Sequence, residues 1–331
     1  MSKNQVFINL TNKANTLNQD AMNELHNEYL NETDLRQDFN TELINFYKDN
    51  TNKPYSLYYY GKIHLFGLGV EKDIKKAIEL LCQSRDLGCS QALIELAYLN
   101  RVGLYNQETY DSLLQKACQM KNSNAFYCLG WDAKEQGDTD TFLKNMEIAR
   151  ELKNSNAIHQ IGQYYHDNSK YNLAKNYYRE AISMDNAHSY LNFGVMYREG
   201  EEFKKNNEKA MKLFEKAGVL GNIKAFVCLG SIYQDEGDDE KAKECYKKAI
   251  QEDDPLAYYN LGLIYLEEDK RKKAIQMFLN GARQGHFNSI IKLNKLGIDP
   301  ETNDDELDDV IEARNQFHNM FKNFGAYDGE W

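Results

Sequence analysis

The stretch YNLGLIYLEEDKRKKAIQMFLNGARQG, from Tyr259 to Gly285, reads as a helix, a tight turn and a second helix. Counted from Gly262, the residues Tyr258, Leu261 and Tyr265 fall at offsets of −4, −1 and +3. Those offsets share one face of an α-helix, so they describe a buried stripe. The small residue at the centre of the stripe lets a partner helix approach closely. Ala274 and Phe278 begin a second stripe on the helix that follows.

The pattern recurs along the chain. A large residue followed by a small one marks the register at Tyr60-Gly61, Leu96-Ala97, Leu129-Gly130, Ile161-Gly162, Phe193-Gly194, Leu229-Gly230 and Leu261-Gly262. Subtracting successive small residues gives steps of 36, 33, 32, 32, 36 and 32. The second stripe returns as Ala174, Tyr178 and Ala181, then Ala210, Phe214 and Ala217, then Ala242, Tyr246 and Ala249. Turn formers such as Glu236-Gly237-Asp238 lie between the helices. Pro54 and Pro255 stand at the first turn of a first helix, where a missing N–H costs little, and Pro300 follows the last one. The fold expected is all-α: a right-handed α-solenoid of about seven helix-turn-helix repeats with helical caps at both ends.

Helical hairpins at a period near 34 residues resemble tetratricopeptide (TPR) repeats. The stretch from Phe66 to Gly88, FGLGVEKDIKKAIELLCQSRDLG, is similar to the Sel-1-like repeat, which has a longer loop between its helices. The glycine, valine, acidic and Lys-Ala positions of that family are filled by Gly67, Gly69, Val70, Asp73, Lys76 and Ala77. The stretch from Tyr197 to Gly221 repeats the pattern less faithfully, and both lie at 36-residue steps. The resemblance covers about residues 54–297. It implies an adaptor that assembles protein complexes, in quality control, signalling or, for several bacterial members, host interaction. The unit from Gln91 to Asn122 is the weakest, because its turn RVGLYNQETY departs from both patterns.

The boundaries expected are a helical cap over residues 1–52, the repeat array over 53–297, and a capping helix with an acidic-aromatic tail over 298–331. Leu35, Phe39, Leu43 and Phe46 share a helix face behind a Thr33-Asp34 N-cap, and Leu17, Met22, Leu25 and Tyr29 mark another helix. Leu307, Val310, Ile311, Arg314, Phe317, Phe321 and Phe324 form an amphipathic pattern ended by Gly325.

A net charge of −11, from 40 Lys and Arg against 51 Asp and Glu, argues against a nucleic-acid partner. No apolar run approaches a membrane span and the start lacks a secretory signal, so a cytoplasmic location is expected, with signal-independent export left open. The six cysteines contain no C-x-x-C pair and read as reduced thiols. No zinc-protease, phosphate-loop or serine-hydrolase motif occurs, and His159 and His166 lie roughly 10 Å apart along a helix, too far to share a metal. The flanks are too short for a catalytic domain. We expect no enzyme, no cofactor and no metal.

In tetratricopeptide-like arrays the first helices line a concave side. Offsets −3, +1 and +4 from each small residue predict the groove: Tyr58, Lys62, Ile94, Tyr98, Arg101, Tyr127, Trp131, Lys134, His159, Gln163, His166 and Arg198. Those offsets carry no acid, and aromatics cluster with single cations in the first three repeats. They predict a groove for a protein or peptide with apolar or aromatic and acidic residues. Packing between repeats is the other use of these side chains. Self-association is also open. A second functional reading is a regulatory receptor for a peptide or small ligand, switched by the tail GAYDGEW with Tyr327, Asp328, Glu330 and Trp331.

Overall fold

The computed structural model describes residues 38–201, 204–303, 306–308 and 310–312, with side chains from Leu43 onward. The helix expected within the first thirty residues, the Thr33-Asp34 cap, residues 313–331 and the tail switch lie outside the described residues. Contacts divide the chain into two compact units, residues 1–157 and 158–331, a division that falls inside the repeat array. Among the described residues every regular element is an α-helix.

The first unit holds α1 (Asp38–Asp49), α2 (Pro54–Phe66), α3 (Ile74–Asp86), α4 (Ser90–Arg101), α5 (Tyr110–Gln119), α6 (Ser123–Glu135) and α7 (Thr139–Glu151). Here α2–α3, α4–α5 and α6–α7 form antiparallel-type hairpins, with α1 packed on α2. Helix α8 (Ser155–Asp167) carries the boundary. The second unit continues with α9 (Tyr171–Ile182), α10 (Ala187–Glu199), α11 (Asn207–Val219), α12 (Lys224–Asp235), α13 (Asp239–Ile250), α14 (Pro255–Glu267), α15 (Arg271–Arg283) and α16 (Phe287–Leu296). The even-numbered helices α2 to α14 carry the seven small residues of the sequence period.

Those small residues act where two helices touch. A methyl group added at Gly194, Gly230 or Gly262 would lie 2.5 Å from the ring of Phe214, Tyr246 or Phe278. At Gly162 it would lie 2.8 Å from the ring of Tyr178. Each of these rings is fully buried. The aromatic of the second helix thus rests on the bare backbone of the first. Where the second helix offers Leu81 or Met146 instead, the approach to Gly61 or Gly130 relaxes to 3.1 and 3.0 Å.

Between hairpins the chain turns through one left-handed residue, at Gly88, Lys121, Lys153, Asp185, Gly221, Asp253 and Gly285. The residue after it begins the next first helix: Cys89, Asn122, Asn154, Asn186, Asn222, Asp254 or His286. Four of these are asparagines, all buried. Asn154 shows why the amide is used. Its Oδ1 accepts from the Ala157 N–H at 3.0 Å, capping the helix, while its Nδ2 donates to Asn124 Oδ1 at 2.8 Å in the preceding first helix. Asn122 likewise caps through Asn124 N and reaches back to Ser90 Oγ at 2.9 Å. One side chain supplies acceptor and donor at once, which an ionised aspartate does not.

The two longer loops are built alike. After Gly67, the Asp73 N–H donates to the His64 carbonyl at 2.9 Å, and the Asp73 side chain caps α3 through Lys76 N. After Gly200, Asn206 N–H donates to Tyr197 O at 2.8 Å and its side chain caps α11. Leu68 and Val70 fold onto the core of the first unit. The irregular turn after α4 is also ordered: Asn100 Nδ2 donates to the carbonyls of Tyr105 and Glu108, both at 2.9 Å, and Asn100 Oδ1 accepts from Tyr110 N. Beyond α16, Leu307 is buried and Val310 and Ile311 pack beside it against the core of α15 and α16.

Candidate functional site

The first helices do not present a bare outer face at every predicted position. Tyr58, Ile94 and His159, all at offset −3, are only 8%, 6% and 7% exposed. Val227, at the same offset, is also buried. Each first helix packs against its own second helix and against a neighbouring repeat, so at these four positions the column faces protein. Tyr58 donates to Glu95 Oε1 at 3.1 Å in the next repeat, Ile94 joins the core of the first unit, and His159 Nδ1 hydrogen-bonds Ser189 Oγ at 3.1 Å. All three side chains join neighbouring repeats.

The expected surplus of positive charge is also corrected. Lys62 Nζ lies 3.4 Å from Glu95 and 5.6 and 5.9 Å from the ring centres of Tyr58 and Phe66. Arg101 donates to Asp132 Oδ1 at 2.9 Å and to Glu135 Oε2 at 3.0 Å. Arg198 donates to Ser231 Oγ at 3.0 Å and lies 3.5 Å from Asp235. His166 Nε2 is 2.6 Å from Glu201. Every one of these carboxylates sits one repeat further along the chain, outside the offsets used to read the face.

Three predicted aromatics do come together in the first unit. Tyr98 on α4, with Tyr127 and Trp131 on α6, lines a cavity of about 320 Å³, completed by Arg101, Tyr110, Cys128, Asp132 and Glu135. Tyr98 is 46% exposed. The Tyr127 and Trp131 rings stack at 6.3 Å with 25° between their planes. Lys134 Nζ lies 4.9 Å over the Trp131 ring. Below them Tyr98 Oη and Cys128 Sγ are 3.3 Å apart, and Tyr110 donates to Asp132 Oδ2 at 2.8 Å. The Arg101 guanidinium lies 5.5 Å from the centre of the Tyr110 ring. Burial pushes the Tyr98 and Tyr110 phenols up, reinforced by Cys128 and Asp132 respectively. Burial pushes the Cys128 thiol up as well, so it is a protonated wall group rather than a nucleophile.

Sequence reasoning missed Tyr110, Asp132 and Glu135. The signal was available in the spacing: Arg101 is followed by Asp132 and Glu135, roughly one repeat away. In the second unit His159 and Gln163 line another cavity, of about 530 Å³, with His188, Leu191, Asn192, Asn222, Lys224, Glu252 and Asp254 among its walls. There Asn222 Nδ2 donates to His188 Nδ1 at 3.2 Å. Among the described residues no three His, Cys, Asp or Glu side chains are grouped to hold a metal ion. All six cysteines are unpaired.

Stacked helical hairpins with small-residue contacts and cross-repeat ion pairs define a tetratricopeptide-type α-solenoid. Comparison with known families agrees. The Sel1 repeat matches residues 54–89, 187–222 and 255–286, and tetratricopeptide repeat models match residues 155–188 and 230–268. The chain is a Sel1-like repeat protein of the tetratricopeptide type. Among solved structures it is similar to c5321, a protective antigen present in uropathogenic Escherichia coli strains that displays the Sel1-like repeat (SLR) fold. Identity is 18%, covering 85% of this chain and 68% of that one, with a TM-score of 0.56. It is also similar to a Sel1 repeat protein from Oxalobacter formigenes, at 20% identity over 61% of this chain and 86% of that one, with a TM-score of 0.50. No curated protein matches the sequence. Repeats of this kind are typically non-catalytic scaffolds for protein–protein interaction. Among the described residues no helix is long and apolar enough to cross a membrane.

Proposed function

We propose that this protein is a non-enzymatic adaptor that holds a protein segment on the outer face of α4 and α6. The observation that carries the reading is the convergence of Tyr98, Tyr127 and Trp131 around one open cavity. Aromatic side chains give large contact area for little lost rotamer freedom, and they dominate the energy of protein interfaces. Arg101, Asp132 and Tyr110 fix the cavity's floor through hydrogen bonds of 2.8–2.9 Å, so the walls are preorganised. Lys62 and Arg198 are tied to their neighbours and act in the stack rather than on the partner.

The test is affinity capture from the native cell with wild type, Trp131→Ala and Lys212→Ala, the last an exposed residue of α11. Partners retained by Lys212→Ala and lost with Trp131→Ala support the reading. The same partners recovered at equal strength by all three proteins would end it. Arg101 is unsuitable as a probe because its loss leaves Asp132 and Glu135 without their common donor.

A further inference from the structure

We propose that the α4–α6 cavity receives a lysine or arginine side chain from an extended segment of a partner protein. This rests on the reading that the face binds a protein segment, and it reverses the acidic partner that the residue pattern predicts. The argument is one of charge and geometry.

Arg101 is the one cation among the residues lining the cavity, against Asp132 and Glu135. A second cavity, of about 630 Å³, adjoins it and shares Arg101, Tyr110, Asp132 and Glu135. This neighbour adds Asp111 and Asp138 without adding a cation. The combined walls therefore hold Asp111, Asp132, Glu135 and Asp138 against the Arg101 guanidinium, with the Lys134 ammonium beside them over the Trp131 ring. Arg101 is already bound to two of those carboxylates, and Asp138 accepts from Thr141 N at 3.0 Å as the cap of α7. Asp111 and the Oε1 atom of Glu135 have no ion-pair partner among the described residues. They are the acceptors that an incoming cation would meet.

The aromatic walls favour the same guest. The face of an indole or phenol ring carries negative potential and attracts a cation. Lys134 shows the contact in place, with its ammonium 4.9 Å over the Trp131 ring and 5.5 Å over Phe142. A partner's lysine or arginine would stack its aliphatic stem on Tyr98 or Tyr127 and point its head at Glu135 and Asp111. A carboxylate there would face like charge. The overall charge of −11 draws a basic segment towards the protein in the same sense.

The experiment uses the full chain and two fluorescein-labelled peptides of equal length, three copies of Gly-Arg-Leu-Arg and three of Gly-Glu-Leu-Glu. Polarisation titrations should show the basic peptide binding at least about tenfold more tightly, with affinity falling as salt is added. The double variant Asp111→Asn, Glu135→Gln should weaken it about fivefold or more, with an unchanged circular-dichroism melt. The equally charged change Glu208→Gln, Glu244→Gln on exposed positions elsewhere should leave it unmoved. Equal or tighter binding of the acidic peptide overturns the proposal, and so does indifference to the Asp111 and Glu135 changes, or binding of neither peptide. A dimer of the chain alone that Trp131→Ala dissociates assigns the cavity to a second copy and also overturns it. Partner capture that depends on Trp131, with no preference for the basic peptide, removes this inference and leaves the adaptor reading standing. Capture indifferent to Trp131 removes both.

Discussion

Gly262 is the sharpest test of how the stack is built. It lies in the middle of α14, where alanine would ordinarily stabilise a helix by about 1 kcal/mol. In this structure the added methyl would lie 2.5 Å from Phe278 Cε1, 2.8 Å from Cδ1 and 3.1 Å from Cζ. Phe278 is fully buried, so its ring has no solvent to swing into and α15 must move away from α14. Overpacking of a closed core costs about 1–3 kcal/mol, and a collision with three ring atoms belongs at the upper end. Subtracting the helix gain leaves Gly262→Ala destabilised by about 2 kcal/mol. Gly130→Ala is the matched control. Its methyl meets Met146 Cε at 3.0 Å, the end of a flexible side chain, so the two terms nearly cancel and stability stays within about 0.5 kcal/mol of wild type. Urea unfolding followed by circular dichroism and by hydrogen exchange of α14–α15 reads both, because a repeat array need not unfold in one step. Phe278→Leu added to Gly262→Ala should recover part of the loss. Gly262→Ala as stable as wild type would refute the claim that these glycines exist for close approach.

Two further outcomes follow from single contacts. Asn154→Asp keeps the oxygen that caps α8 and loses the donor to Asn124; a loss of about 1–3 kcal/mol is expected in thermal or urea melts. Hydrogen bonds from Lys243 and Lys270 hold the Glu268 carboxyl down to about 2, against 4.5 for an ordinary glutamate. A depressed carboxyl stabilises the fold fully above its unfolded value and loses that contribution as pH falls towards its folded one. The melting difference between wild type and Glu268→Gln should thus be constant from neutral pH to about pH 5 and close between about pH 4.5 and 2; a gap that persists at pH 2 refutes the assignment.

The phase of the repeat was legible because the residues that set it obey one helix's geometry. Leu57, Leu93, Ile158, Leu229 and Leu261 are buried as their offsets require, and each glycine of the register sits beneath a side chain of the second helix. The face was harder to read. A helical wheel assigns one inside and one outside, but a first helix packs on the helices before and after it and its side chains also reach the next repeat, so Tyr58, Ile94 and His159 went inward. The asparagine column at 122, 154, 186 and 222 shares the repeat spacing, yet a polar residue before a helix reads as a cap, and its second bond back to the preceding repeat belongs to the stack alone. The Gln91–Asn122 unit departed from pattern at its turn because Asn100 supplies from its side chain the hydrogen bonds that loop residues supply elsewhere.

The sign of the binding face follows from the same limitation. Lys62, Arg101 and Arg198 each pair with a carboxylate of the next repeat, namely Glu95, Asp132 with Glu135, and Asp235. Half-exposed pairs of this kind contribute only about 0–1 kcal/mol each, so their effect is less on stability than on the register in which one hairpin sits on the next. Their effect on recognition is larger. Each cation is neutralised by the adjoining repeat, which leaves the aromatics and the surplus carboxylates to meet a partner. Across the two adjoining cavities beside Tyr98, Tyr127 and Trp131, Asp111, Asp132, Glu135 and Asp138 outnumber Arg101 and Lys134, and the surplus is negative. A face whose charge is read repeat by repeat comes out basic; the same face read across the seam between repeats selects for a basic guest.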